Sequence, residues 1–478
     1  MGQSVEDNGA LVARPGLHGA KSPSLSLAWR ALGTTECCHR QVSTRNRIRV
    51  YQNWGGLNGC RKEIRMEVIH PRCCGLDIGK KSVAACVSIM GSKGKAHQEV
   101  RTYSTVTKEI LGLADWLKEN GIEHVGMEAT GPYWKPIWNL LEGEFQLSLA
   151  NPQHMRTIPG KKTDVKDSEW IADLLQHGLL PTSFIPDPPQ RELRELVRYR
   201  RSLVNDRADE VRRIQKILEG ANIKLSSVAS DVLGVTGRAI LVQLANGVTD
   251  PGQLAALAKG SLKGKKKELT DALQGLVQSH QRFMLSRQLT HIADLEALLE
   301  DVGQEISQRI GPFESTVARL MTIPGIGRRV AEVIVAEVGA DVHPFPSPSH
   351  LAAWAGLAPG NKESAGKRMH ARTRQGNQTV KMTMVEAAWA ASRTPTYLGS
   401  QFRHLSKRLK AKKALVAVAH SLIEIVYHVL NGADFRDLGP DYFEKTDRKN
   451  VERWAVKRLE QCGYKVTLEP FPPAEPAA

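Results

Sequence analysis

The sequence predicts a three-part protein: an α/β domain toward the amino end, a middle of long helices, and a mostly helical carboxy-terminal half. Three observations carry this expectation. From Met66 to about Ile185, short apolar runs of strand type alternate with helical stretches, as in an α/β layer architecture. After the break Pro186-Asp187-Pro188-Pro189 the composition turns to Arg, Glu and Leu, spaced for one long amphipathic helix. Farther on, helical patterns are interrupted by the turn Ile323-Pro324-Gly325-Ile326-Gly327. The 478 residues are enough for about three ordinary domains.

Residues 1–65 show no sustained period of either kind and are rich in Gly, Ser, Arg and Asn, so they read as a disordered extension. Leu25 to Leu32 is too short, and too broken by Arg30, to be a cleavable signal peptide. A net charge of +16 and a pI near 9.5 point to a polyanionic partner, because neutralising phosphates releases condensed counterions. A membrane is not expected: the longest apolar candidate, Ala414 to Leu430, is interrupted by His420, Glu424 and His428. The seven cysteines (37, 38, 60, 73, 74, 86 and 462) have no Cys-x-x-Cys spacing, which argues against a disulfide framework or structural zinc and for a reducing cytoplasm.

Within the first domain, Cys74 to Val87 reads as a β-hairpin that carries Asp77 to a turn at Gly79. Leu111, Leu113, Ala114, Trp116 and Leu117 make a helical face closed by Asn120-Gly121. A short strand from His124 ends in Glu128 before the Gly131-Pro132 break, and Leu147 to Ala150 is another strand. Asp164 and Asp167 stand at i and i+3 at the start of an amphipathic helix, about 5–6 Å apart at Cβ. Trp134, Trp138, Cys73, Cys74 and Cys86 read as packing residues. Any one of the acids alone reads as an ordinary solvated charge. Together, four converging carboxylates repel one another unless cations neutralise them, and hard oxygen ligands suit Mg²⁺ or Mn²⁺ in a phosphoryl-transfer site.

In the middle, one long helix is expected from Arg191 to about Asn222 and a second from Lys266 to Ile310. A Gly-containing stretch lies between them and ends in the run Lys263-Gly264-Lys265-Lys266-Lys267, able to touch phosphate. Arg198, Arg200, Arg201, Arg207, Arg212 and Arg213 fit either a solvated face with local ion pairs or a nucleic-acid contact. Leu320 to Gly339 reads as helix, glycine turn, helix. Gly325 and Gly327 would let backbone N–H groups approach a phosphate, and Arg328 and Arg329 would add charge; an ordinary tight turn is the alternative. Ser364 lies in a small-residue loop beside Lys367 and Arg368, and by chemistry alone is a turn residue or helix cap. A helix over Lys412 to Leu430 is expected to pack on one over Val380 to Ala391, and a charged, then Pro-rich, mobile tail follows Gly432.

Gly75-Leu76-Asp77-Ile78-Gly79-Lys80, Met127-Glu128-Ala129-Thr130-Gly131 and Lys162-Thr163-Asp164-Val165-Lys166-Asp167 resemble the Asp-Glu-Asp-Asp motifs of IS110-family transposases. That family's amino-terminal domain is RuvC-like, a ribonuclease-H-type α/β fold that holds divalent metal. The resemblance implies a metal tetrad of Asp77, Glu128, Asp164 and Asp167, with Mg²⁺ or Mn²⁺ as cofactor. Gly356-Leu357-Ala358-Pro359 and Ser364-Ala365-Gly366-Lys367 are similar to the family's second domain, which implies Ser364 as nucleophile; Lys367 and Arg368 are placed beside the phosphate it attacks. The glycine turn resembles a helix-hairpin-helix DNA-binding element, and the middle resembles a coiled-coil linker that assembles a homo-oligomer. Ser168 and Glu363 depart from the family pattern, where a small apolar residue and often a serine are expected. The implied domains are 66–185, 186–312, 313–432 and a tail at 433–478. The implied partners are DNA of the element ends and target, with a guide RNA from the element's flank. Two rival readings are a RuvC-like junction resolvase that cuts with metal-activated water, and a non-enzymatic helix-hairpin-helix nucleic-acid-binding protein.

Overall fold

The structure is a computed structural model and describes residues 67–91, 95–129, 131–155, 167–360, 363–364, 367–368 and 373–469. The amino-terminal extension, Asp164 and the Pro-rich end beyond 469 lie outside the described residues. The first domain is built on a five-stranded sheet of order β3-β2-β1-β4-β5. Its strands are β1 (Arg72–Ile78), β2 (Ser82–Met90), β3 (Ala96–Ser104), β4 (His124–Glu128) and β5 (Gln146–Ala150). β1, β2 and β3 are antiparallel neighbours, whereas β4 and β5 run parallel to β1. The expected hairpin is present, with its turn closed by Gly79 N–H donating to Ser82 O at 2.9 Å. Strand β3 is an addition to the expectation: as an edge strand exposed along most of its length, it has no apolar alternation to betray it.

Alternation along the central strands sorts their side chains to two faces. Cys74, Leu76, Ile78, Val125 and Met127 join a core with α1 (Thr107–Glu119) and α2 (Trp134–Leu141). Several of these are completely buried, each stabilising the fold by about 1.5–3 kcal/mol. The opposite face receives the short helix α3 (Pro152–Met155), through Met155, and α4 (Asp167–Gln176), through Ile171, Leu174 and Leu175. Gly75 and Gly126 are register partners on that face. A Cβ on Gly75 would stand 2.2 Å from Ser168 O and 2.4 Å from Ala172 N, and one on Gly126 would press on Leu180 and Ile171. Only glycine at these positions lets α4 lie directly on the strands. Ser168 thus sits buried where helix backbone meets sheet.

Helix α5 (Pro188–Gly220) is the spine of the molecule, and α10 (Ser279–Ile310) folds back along it. Pairs 192/309, 207/296 and 210/291 show the two to be antiparallel. The second long helix starts at Ser279, not at Lys266. A Cβ on Gly275 would meet Ala221 O at 2.4 Å, so the chain packs across the end of α5 there before turning into α10. The intervening stretch is itself a small helical unit. It comprises α6 (Leu225–Val228), α7 (Val235–Ala245), α8 (Pro251–Ala256), a 3₁₀ segment at Gly260–Lys265 and α9 (Lys266–Ala272), around a core that includes Ile240, Leu241, Leu254 and Leu269.

The carboxy-terminal half comprises α11 (Glu314–Met321), α12 (Arg328–Val338), α13 (Pro348–Trp354), β6 (Glu363–Ser364), β7 (Lys367–Arg368), α14 (Gln378–Ala391), α15 (Tyr397–Ser406), α16 (Ala411–Leu430) and α17 (Tyr442–Gln461). By length and composition α16 could cross a membrane, but it is the central helix of this core, with Val418, Leu422, Ile423 and Val426 buried, and it packs on α14 as expected. The region read as a tail contains α17. Its start docks on α15, with Phe443 stacked on Tyr397 and His404, and Asp437 accepts a hydrogen bond from Tyr397 N–H.

Candidate functional site

Asp77 and Glu128 lie at the carboxy ends of adjacent parallel strands, one residue beyond the register pair Leu76/Met127. Each follows a face-sharing glycine by two residues, so both side chains point to the α4 side. Helix α4 runs against β1: Ser168 and Ala172 lie over Gly75, while Gln176 O accepts from Ile69 and His70 at the strand's other end. Its first residue, Asp167, is therefore delivered to the strand ends that carry Asp77 and Glu128. All three carboxylates are partly buried. Burial, and after it the negative charge of Asp167, push the Asp77 carboxyl above its ordinary range, while a hydrogen bond from Ile78 N–H pulls the other way.

Among the described residues, no three acidic, histidine or cysteine side chains are grouped closely enough to hold a metal ion as they stand. Asp164, the fourth carboxylate of the expected set, is outside those residues. The donors that are described fit a hard divalent cation: they are carboxylate oxygens, and the repulsion from Asp167, which adds to burial in raising Asp77, is an interaction a cation would relieve.

Ser364 stands on the second core. Strands β6 and β7 form a minimal ribbon in which Ser364 pairs with Lys367 and Glu363 with Arg368. The loop that carries it is pinned at its base, where Pro359 bridges Thr373, Arg374 N–H donates to Ala358 O and Asn377 N–H donates to Trp354 O. Gly356 and Gly376 allow the two arms to touch, since a Cβ on Gly376 would stand 2.3 Å from Gly356 N. The base is tied to the sheet domain through aromatic rings. Phe184 contacts Trp354 and Phe345, and the preceding Ser183 N–H donates to Leu149 O on β5.

A buried carboxylate not singled out in the sequence reading, Glu337 on α12, joins the same base to the spine. It is fully buried and accepts from Arg198 Nε at 2.7 Å and Asn377 Nδ2 at 2.7 Å, with Arg194 Nε 3.2 Å away. Burial draws the Arg194 guanidinium down to about 10, even beside Glu337. Arg191, one turn earlier, pairs with Glu142 at the end of α2. The signal was present as an acid inside the apolar run Val333 to Val338, but its arginine partners are more than a hundred residues away and Asn377 is 40 residues away. The spine arginines likewise reach across the fold: Arg200 to Glu332, Arg201 to Glu386 and Arg207 to Glu296. Arg212 and Arg213 pair locally with Asp209 and Glu210.

The glycine turn between α11 and α12 has the expected helix, turn, helix order. Gly325 takes a φ of +89°, and a Cβ there would stand 2.3 Å from Ala387 O, so its role in the fold is close packing on α14. Gly327 precedes α12 with open space around it. Arg328 pairs with Glu314 and Glu332, whereas Arg329 is exposed and has no ion pair among the described residues.

Two family models match the chain. Residues 74–223 match the DEDD transposase model of IS110, and residues 317–404 match that of the transposase IS116/IS110/IS902 family. Two Sinorhizobium fredii proteins whose names carry the word transposase are similar. One, y4qE, is 24% identical over 337 residues, 68% of this chain and 73% of the relative. The other, y4rJ, is 26% identical over 258 residues, 52% and 59% respectively. A Streptomyces coelicolor protein named as an uncharacterized 43.6 kDa protein of insertion element IS110 is 33% identical over 119 residues, covering 24% of this chain and 29% of its own length.

Proposed function

We propose, for a chain that belongs to the IS110 family of transposases, that it exchanges DNA strands by phosphoryl transfer between DNA and a serine, assisted by divalent metal that carboxylates would hold. The carrying observation is the shared placement of Asp77 and Glu128 on one sheet face, with Asp167 brought over them by α4. In this reading Asp77, Glu128, Asp164 and Asp167 hold Mg²⁺ or Mn²⁺. Bound divalent metal supplies stabilisation of the attacking and leaving oxygens.

Ser364 is the nucleophile. Its hydroxyl gives up a proton, its oxygen forms a bond to a backbone phosphorus as a phosphorus–oxygen bond of the DNA breaks, and the released sugar oxygen takes up a proton. Attack by the hydroxyl of another strand reverses these bonds, frees Ser364 and rejoins the backbone, so the energy of the original ester is kept. Lys367, the ribbon partner of Ser364, and Arg368 supply cationic charge to the phosphate. Arg329 and the backbone beside Gly325 and Gly327 hold flanking DNA in the manner of a helix-hairpin-helix. The two halves of the site stand on different cores, which suits assembly between copies of the chain. A guide RNA and a cytoplasmic setting complete the reading. The test is strand exchange between element-end and target DNA, counted as sequenced junctions. Excess chelator, or Asp77→Asn in saturating Mg²⁺, should lower the count by about 100-fold or more with unchanged folding. Undiminished exchange in chelator contradicts the proposal.

A further inference from the structure

The surplus positive charge is not spread evenly, and its distribution points to a second contact surface far from the carboxylates. Along the spine, the arginines most suggestive of nucleic-acid contact are occupied: Arg198, Arg200, Arg201 and Arg207 each bind a carboxylate on another element. The segment from Lys259 to Lys267, at the small helical unit, is different. It holds five lysines and no acidic or aromatic residue. All five are exposed, and none has an ion pair among the described residues. The segment is nevertheless built into the fold. Lys259 N–H donates to Thr236 Oγ1 at 2.9 Å, Leu262 packs on the unit's core, and Leu269 just beyond is completely buried. Lys263 stands three and four residues from Lys266 and Lys267, a spacing at which like charges repel. Gly260 and Gly264 have open space where a side chain would be, so the chain can approach a flat surface closely.

We infer that this lysine segment binds the phosphate backbone of duplex DNA flanking the site of strand exchange, a role that rests on the transposase reading. Clustered free ammonium groups without interleaved aromatics fit the regular phosphates of a duplex. Single strands are held by aromatic side chains between the charges. Helix α5 carries the contact away from the clamp at Arg191 by about 44 Å, at about 1.5 Å per residue. DNA lying along the helical hairpin would therefore meet the lysines roughly a dozen base pairs beyond the level of Arg191.

The test uses the full chain and a variant with Lys263, Lys265, Lys266 and Lys267 changed to Gln. Both are titrated with a random-sequence 60-base-pair duplex (about six helical turns of probe) over a range of salt. A structured RNA hairpin and metal-dependent strand exchange are measured in parallel. The expected result is a log–log salt slope on the duplex shallower by about 2–4, with tenfold or greater loss of affinity and an unchanged melting temperature. An unchanged duplex slope overturns the inference, as does a loss confined to the RNA hairpin. Strand exchange by the wild type alongside an unchanged slope fails this inference alone. A lysine-dependent slope in a chain that exchanges no strands fails the transposase reading alone.

Discussion

The two halves of the proposed chemistry are held in contrasting ways. Asp77 and Glu128 end strands at the centre of a sheet, with apolar side chains on one face and glycine-seated α4 on the other, so their backbone is fixed by packing. Ser364 rides a ribbon of two paired residues per strand, and among the described residues its loop is tied to the core where it closes near Trp354 and Asn377. A metal site gains from carboxylates that cannot drift. A nucleophile that must reach a phosphate and later release it gains from a loop whose root is fixed. The contrast assigns Glu337 a specific job: it joins the loop root to the spine that also grips the sheet domain.

The comparison is most severely broken at that root. Glu337→Ala leaves Arg194 buried without its countercharge and Asn377 without its acceptor. Stability should fall by about 3–5 kcal/mol, read from the urea midpoint. A loss under about 1 kcal/mol would mean that the loop root is held by its backbone hydrogen bonds and aromatic contacts without help from Glu337. On the sheet side, Gly75→Ala places a methyl against the α4 backbone and should cost about 1–3 kcal/mol, visible as a lowered melting temperature. No shift there would show that α4 is not seated as described.

The smallest effect separates function from stability within one residue. Asp77 has a raised carboxyl pKa in the folded chain, so its protonated form is the better tolerated one. In chelator, its ionisation therefore weakens the fold once pH rises above the folded value, and not below the ordinary carboxylate value. Asp77→Asn should then stabilise the metal-free protein at pH 7, by less than about 1 kcal/mol because the group is partly exposed. The gain should vanish in acid. A variant less stable than wild type at pH 7 would reverse the sign and indicate that the carboxylate is satisfied without metal.

Much of this architecture was legible in the sequence because its signals are local. Strand β4 ending in Glu128, the hairpin at Gly79, the Asn120-Gly121 helix stop and the long period of α5 all depend on residues within a few positions of one another. What escaped depends on distant partners or on weak periodicity. Strand β3 is polar on both faces. The helices α6, α8 and α9 are too short to show a stripe, α7 is apolar on most sides, and the start of α10 is set by Gly275 against the end of α5. The charged face of α17 hid a helix whose docking relies on Tyr442 and Phe443 at one end. The spine arginines could be read as solvated or as DNA contacts because Glu332, Glu337 and Glu386 are far away in sequence. Arg328 was read for its charge, which the structure spends on Glu314 and Glu332.

The central claim, that a serine on the helical half completes a reaction prepared by carboxylates on the sheet half, is tested most directly by trapping the intermediate. The full chain is incubated with labelled element-end and target DNA in Mg²⁺, quenched in denaturant and separated on a denaturing gel, with Ser364→Ala run alongside. The account predicts a protease-sensitive protein–DNA adduct in the wild type. Neither adduct nor rejoined product should form in the variant, whose DNA affinity stays close to normal. Rejoined product from Ser364→Ala, or free DNA ends without adduct from the wild type, would contradict it and leave hydrolysis by metal-bound water as the reaction.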